Sequence, residues 1–254
     1  MELQEWFESS ADKTAGVILL LHGLNNRPEL MHPIAKAFNK IGFDVLVPAL
    51  KGHIDDFATF KKVRGEDWLA GVFTAYNKTH QRAQLKQCPI YYVGFSLGGL
   101  IGVTLKAQGK LPEIHKMWLL APALEITLFA SLLKPLLKLK LDFSIPSKAP
   151  GFYRAHQRMP VQAYRALFEV KEVLHQQKSI VNIPTLLHID AKDELVSYNK
   201  LKKLIEREEL SNWQLHKLNS KESKGIHHMI ADPFYTGKNN WENMLQEASD
   251  FFKS

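Results

Sequence analysis

Two kinds of apolar pattern alternate along the chain. The uninterrupted run Val17-Ile18-Leu19-Leu20-Leu21 has the form of a strand buried on both faces. Leu30, Ile34, Ala37, Phe38 and Ile41 then recur at helical spacing over residues 28–41, and Gly42 ends them. Phe43-Asp44-Val45-Leu46-Val47-Pro48 reads as the next strand. Asp67-Trp68-Leu69 opens a helix over 67–85, with the Asp67 carboxylate at the end where negative charge is favoured. Pro89-Ile90-Tyr91-Tyr92-Val93, Lys116-Met117-Trp118-Leu119-Leu120, Thr185-Leu186-Leu187-His188-Ile189 and Trp213-Gln214-Leu215-His216-Lys217-Leu218 supply further strands, and an amphipathic helix over 241–252 closes the chain. This alternation predicts an α/β fold, a mostly parallel central sheet with helices on both faces.

About sixty residues separate the strand ending at Leu120 from the strand beginning at Thr185, far more than the usual connection in such a unit. The segment from about 125 to 178 is therefore expected to form a small helical cap inserted before the penultimate strand of one domain spanning 1–254. Pro135, Pro146, Pro150 and Pro160 cut it into short pieces. Leu124, Ile126, Leu128, Phe129, Leu132, Leu133, Leu136 and Leu137 give it an apolar side that suits an acyl or alkyl pocket beneath. Over 132–141 lysines alternate with leucines; the lysines fit the wet side of this lid, and a weak membrane-surface contact is the most it suggests.

Composition narrows the class. With 254 residues, 45% of them hydrophobic, the chain can bury one large core. The formal charge of +7 comes from lysines and arginines scattered throughout, with no interleaved aromatic motif, so no nucleic-acid partner is expected. Cys88 is the sole cysteine, which excludes an intrachain disulfide and any cysteine-based metal spacing and fits a reducing compartment. No basic segment followed by a long apolar run opens the sequence, so a cytoplasmic protein without stable membrane insertion is expected.

The most informative residues are Gly94-Phe95-Ser96-Leu97-Gly98-Gly99, directly after a strand-like run. A serine nucleophile on a sharp strand-to-helix turn needs small residues two before and two after it, where side chains would strike the neighbouring backbone. Leu97 then presents its N–H at a helix N-terminus, as one oxyanion donor. His22-Gly23-Leu24 follows the first central strand; there Leu24 N–H is the candidate second donor and the His22 side chain a positioning group. A serine hydroxyl also needs an imidazole to take its proton and a carboxylate to hold that imidazole. Asp193 follows a buried-type strand and is the candidate acid, with Asp190 and Glu194 as neighbouring competitors. The candidate base lies in Lys224-Gly225-Ile226-His227-His228-Met229, where position alone leaves His227 and His228 both open.

With these parts in the order Ser, Asp, His, the chain resembles the α/β-hydrolase superfamily, and within it the carboxylesterase and monoacylglycerol-lipase-like serine hydrolases. Leu20-Leu21-His22-Gly23-Leu24 looks like their oxyanion segment, Leu50-Lys51-Gly52-His53 is similar to their G-H loop, and Glu66-Asp67-Trp68-Leu69 matches an Asp-Trp helix start. Asp193-Glu194-Leu195-Val196 resembles the acid loop. Ile54 departs from the pattern, which carries a second glycine after the His of the G-H loop. In relatives the base is often followed five residues later by Asp, and His227 with Asp232 has that spacing. The resemblance therefore implies Ser96, Asp193 and His227 as the catalytic residues, Leu24 and Leu97 as the oxyanion donors, no metal or organic cofactor, and hydrolysis of a small ester with a short to medium acyl chain or a monoacylglycerol-like form. The same residues serve thioesterases and amide, peptide or C–C hydrolases, and a non-catalytic binding protein can keep the fold.

Overall fold

The computed structural model describes residues 4–127 and 142–254. The Lys/Leu alternation over 132–141, and with it Leu128, Phe129, Leu132, Leu133, Leu136 and Leu137, lies outside the described residues. Strands β1 (Gln4–Phe7), β2 (Gly16–Leu21), β3 (Phe43–Pro48), β4 (Ile90–Phe95), β5 (Ile114–Leu120), β8 (Thr185–Asp190) and β9 (Trp213–Leu218) form one sheet in the order β1-β3-β2-β4-β5-β8-β9. Only β1 runs antiparallel, against β3. Every residue of β2, β3, β4 and β8 is buried, which explains why β2 is an unbroken apolar run and the other three are mostly apolar, with Asp44 in β3 and His188 in β8 among the buried polar members. β1 is a half-buried edge strand, too short and too mixed in polarity to be read beforehand.

Helices cover both faces. His32–Lys40, preceded by a 3-10 turn at Pro28–Met31, and the closing helix Lys238–Lys253 share one face. There the Phe252 ring packs against Phe38, Phe43 and Tyr91 at centroid distances of 5.5, 6.3 and 4.7 Å. Gly65–Lys86 and Leu97–Ala107 cover the other, and Val161–His175 packs on these two helices. Val161–His175 is the described helix of the expected cap, and the structure adds a two-stranded hairpin beside it, β6 (Ser144–Pro146) against β7 (Arg158–Pro160). Among the described residues no helix is long and apolar enough to cross a membrane.

Parallel pairing of β8 with β9 sets His188 directly opposite His216, and the Glu247 carboxylate of the closing helix accepts from both, at 2.8 and 2.5 Å. The Trp118 indole N–H, which can only donate, lies 2.9 Å from His188 Nδ1. His188 therefore carries its proton on Nε2 and gives it to Glu247, leaving no lone pair there for a metal ion. The His188 hydrogen bond, with help from His216, lowers the Glu247 pKa from 4.5 to about 2 despite partial burial. A depressed carboxylate pKa contributes stability above its unfolded value and loses it as pH falls through the folded one. The difference in urea-unfolding stability between wild type and Glu247→Gln is accordingly expected to shrink from pH 5 towards pH 2, about the window between the two pKa values. A constant difference across that range would show that the pair carries no such linkage.

Candidate active site

β4 ends at Phe95, and the helix Leu97–Ala107 starts two residues later, so Ser96 carries the whole reversal. It does so at φ 50° and ψ −111°, a conformation rare for a side-chain-bearing residue. Surrounding backbone holds it there: Ser96 N–H donates to Leu120 O at 2.9 Å, and Ser96 O accepts from Leu100 and Ala123 N–H at 3.1 and 3.0 Å. The glycine spacing has the steric cause expected. A Cβ on Gly94 would stand 2.7 Å from the Gly98 carbonyl carbon, and one on Gly98 would stand 2.8 Å from Leu21 O and 2.9 Å from His22 O. Backbone on backbone cannot give way, so Gly98→Ala is expected to destabilise the protein by about 2 kcal/mol or more. A thermal melt checks this; an unchanged Tm would show that the turn has slack.

Ser96 Oγ lies 3.0 Å from His228 Nε2, and His228 Nδ1 lies 2.8 Å from Asp193 Oδ2. All three residues are buried. Asp193 follows β8, as expected, and its Oδ1 also accepts from Leu195 and Val196 N–H, each at 2.8 Å. With the carboxylate able only to accept, the His228 proton sits on Nδ1, and Nε2 keeps its lone pair for the serine hydroxyl.

The structure corrects one expected position, because His227 does not reach Ser96. Its Nδ1 is bonded to Asp190 Oδ2 at 2.9 Å, and Asp190 also accepts from the Ser220 and Ser223 hydroxyls and from Lys192 N–H. His227 and His228 are the central residues of a turn in which Met229 N–H donates to Ile226 O at 3.2 Å, and the two rings leave it toward different partners, His227 to Asp190 and His228 to Ser96. The turn is fixed from outside: the Glu194 carboxylate accepts from His227 N–H and from His228 N–H, each at 3.0 Å. Asp232, whose spacing from His227 had pointed there, instead caps the helix Pro233–Thr236 by accepting from Phe234 and Tyr235 N–H. Glu194 and Asp190, expected only as competitors for the acid position, thus hold the loop that carries His228.

On the opposite side of Ser96 lies the end of β2. His22 is buried; its Nδ1 is 2.9 Å from Gly23 O, and its Nε2 accepts from Leu50 N–H at 3.1 Å. The ring is thus a neutral link between two strand ends, and burial lowers its pKa to about 4. Gly23 lies against the Phe95 ring. Leu24 follows it, and Leu97 is the first residue of its helix, where backbone N–H groups have no intrahelical acceptor.

The sequence profile of the family described as serine aminopeptidase, S33 matches residues 12–233. The chain belongs to this family. One stretch of 88 residues is 35% identical to the thermostable monoacylglycerol lipase of Bacillus sp. (strain H-257), covering 35% of this chain and 34% of that protein. The chain thus aligns with about a third of that relative's length. Solved structures share the fold over nearly the whole chain. A soluble variant of the Saccharomyces cerevisiae monoglyceride lipase has a TM-score of 0.80 at 12% identity, covering 98% of this chain and 90% of that one. A metagenome-derived lipolytic enzyme, one of LipS and LipT, gives 0.77 at 21% identity over 98% and 96%. The Paleococcus ferrophilus monoacylglycerol lipase gives 0.69 at 18% over 100% and 98%. The family and the seven-stranded, mostly parallel sheet together establish the α/β-hydrolase fold.

Proposed function

We propose that the protein is a serine hydrolase that cleaves carboxylic esters through an acyl-serine intermediate, with Ser96 as nucleophile, His228 as base and Asp193 as its orienting acid. The observation that carries this reading is the hydrogen-bonded line from Ser96 Oγ through His228 to Asp193. Ser96 Oγ attacks the acyl carbon while His228 Nε2 takes its proton, and Asp193 stabilises the imidazolium that results. The carbonyl oxygen, now negative, is received by the N–H groups of Leu97 and Leu24. His228 returns the proton to the leaving alkoxide. It then takes a proton from the water that attacks the acyl carbon and gives it to Ser96 Oγ as the acyl carbon–Oγ bond breaks, which releases the acid and restores the serine.

The substrate class in this proposal is an ester with a short to medium acyl chain or a monoacylglycerol. Its supports are the lipolytic names of the relatives and the apolar Leu124 and Ile126 at the start of the cap. The chain acts as one hydrolase domain with a cap at about 125–178, in a reducing, cytoplasmic setting that suits its single free thiol. The description of the family favours a second reading, cleavage of an aminoacyl amide. A panel of p-nitrophenyl esters, acyl-thioesters and aminoacyl anilides separates them by kcat/KM. Esters are expected to exceed anilides by at least about a hundredfold, a difference of about 3 kcal/mol in transition-state binding. Anilides turning over faster than every ester would replace this proposal with the second reading.

A further inference from the structure

The residue after Leu24 makes an unusual set of contacts. Asn25 is buried with φ 57°, and its hydrogen bonds lead into the cap. Its amide Nδ2 donates to Ser147 Oγ at 2.9 Å and to His156 O at 3.0 Å, its Oδ1 accepts from His156 N–H at 3.0 Å, and its backbone O accepts from Ala155 N–H at 3.0 Å. Two residues on, Arg27 N–H donates to Tyr153 O at 2.7 Å. A turn would have used Asn25 only for its tolerance of positive φ. Here the side chain is also fully engaged, in a buried place where each unmatched polar atom is costly.

The other end of these contacts is a cap arm, residues 147–156, between β6 and β7. The His156 ring is hydrogen-bonded to Gly52 O at 2.7 Å, in the loop after β3. The Tyr153 hydroxyl is hydrogen-bonded to the Asp232 side chain, which sets the arm beside the segment that follows His228, and burial together with that carboxylate pushes the hydroxyl pKa up to about 12. One arm thus touches the loop after β2, the loop after β3 and the segment that follows His228. We infer that Asn25 is a positioning residue that builds the cap arm 147–156 into the oxyanion loop, so that this part of the cap is a fixed brace for the Leu24 N–H and not a lid that leaves it.

The catalytic consequence rests on the ester-hydrolase reading, whereas the brace itself does not, and the test separates them. Asn25→Gly keeps the positive-φ backbone and removes the side-chain bonds. It is expected to lower kcat on p-nitrophenyl butyrate about tenfold to a hundredfold while KM stays within about threefold, and to weaken a trifluoromethyl ketone inhibitor by the same factor, since only the tetrahedral adduct needs the displaced donor. Hydrogen exchange read by mass spectrometry is expected to quicken in 22–27 and in 147–157 together. Ser147→Ala, which removes one bond, gives a smaller change of the same kind if Asn25→Gly folds poorly. Wild-type kcat and inhibitor affinity in Asn25→Gly, with exchange unchanged in the arm, would overturn the brace. An inactive wild type that still shows coupled exchange would overturn the ester reading alone.

Discussion

Replacing His228 with alanine is expected to lower kcat/KM on a p-nitrophenyl ester about 10⁴-fold, whereas His227→Ala keeps activity within about threefold. The asymmetry follows from direction. His228 Nε2 faces Ser96 Oγ at 3.0 Å, while the His227 ring is turned to Asp190 at 2.9 Å. His227→Ala still removes a side chain that ties the loop to Asp190, so a modest loss of thermal stability accompanies it. Its backbone N–H remains to bond Glu194, which keeps the loop in register. Steady-state kinetics on both variants decide the matter, and the reverse order of effects would return the base to His227.

Asp193→Asn is expected to be nearly as severe, about 10³- to 10⁴-fold in kcat, with the fold intact. The reason lies in how the carboxylate is held. Leu195 and Val196 N–H groups both point at Oδ1, so the asparagine oxygen stays there and its NH₂ takes the place of Oδ2, 2.8 Å from His228 Nδ1. Two donors cannot face each other, so Nδ1 must accept, the imidazole proton moves to Nε2, and the ring can no longer take the serine proton. Asp190→Asn separates position from chemistry. Asp190 accepts bonds from Ser220, Ser223, Lys192 and His227 and none from His228. Its loss is expected to cost about 1–3 kcal/mol in urea unfolding, with a much smaller change in kcat. Equal kinetic effects in the two asparagine variants would contradict the assignment.

What the sequence reveals of this molecule depends on how local each cause is. The turn at Ser96 is legible because the steric demand falls on Gly94 and Gly98, two residues away on either side. The strands β2, β3, β4 and β8 are legible because burial on both faces makes short windows mostly apolar, and the few polar residues inside them, such as Asp44 and His188, are held by hydrogen bonds to Arg82 and to Trp118 and Glu247. Asp193 is legible from its place after such a strand. His228 is not, because the orientation of its loop is set by Glu194 and Asp190, more than thirty residues earlier in the chain, and a shift of one residue exchanges the two rings. The Asp232 spacing misleads for a local reason: its side chain serves the helix it begins. The brace from Asn25 to Ser147 and His156 is equally hidden, since neither end has a motif and the partners lie far apart in sequence. The β6–β7 hairpin escapes notice because each strand is three residues long and both end in proline.

In the proposed mechanism everything depends on Ser96 being an activated nucleophile. A fluorophosphonate probe followed by mass spectrometry of the proteolytic fragments tests it most directly, because phosphonylation marks only a hydroxyl whose proton has somewhere to go. A single modified peptide is expected, the one bearing Ser96, with labelling abolished in Ser96→Ala and slowed at least about a hundredfold in His228→Ala. Label on another residue, or none on folded wild-type protein, would contradict the mechanism.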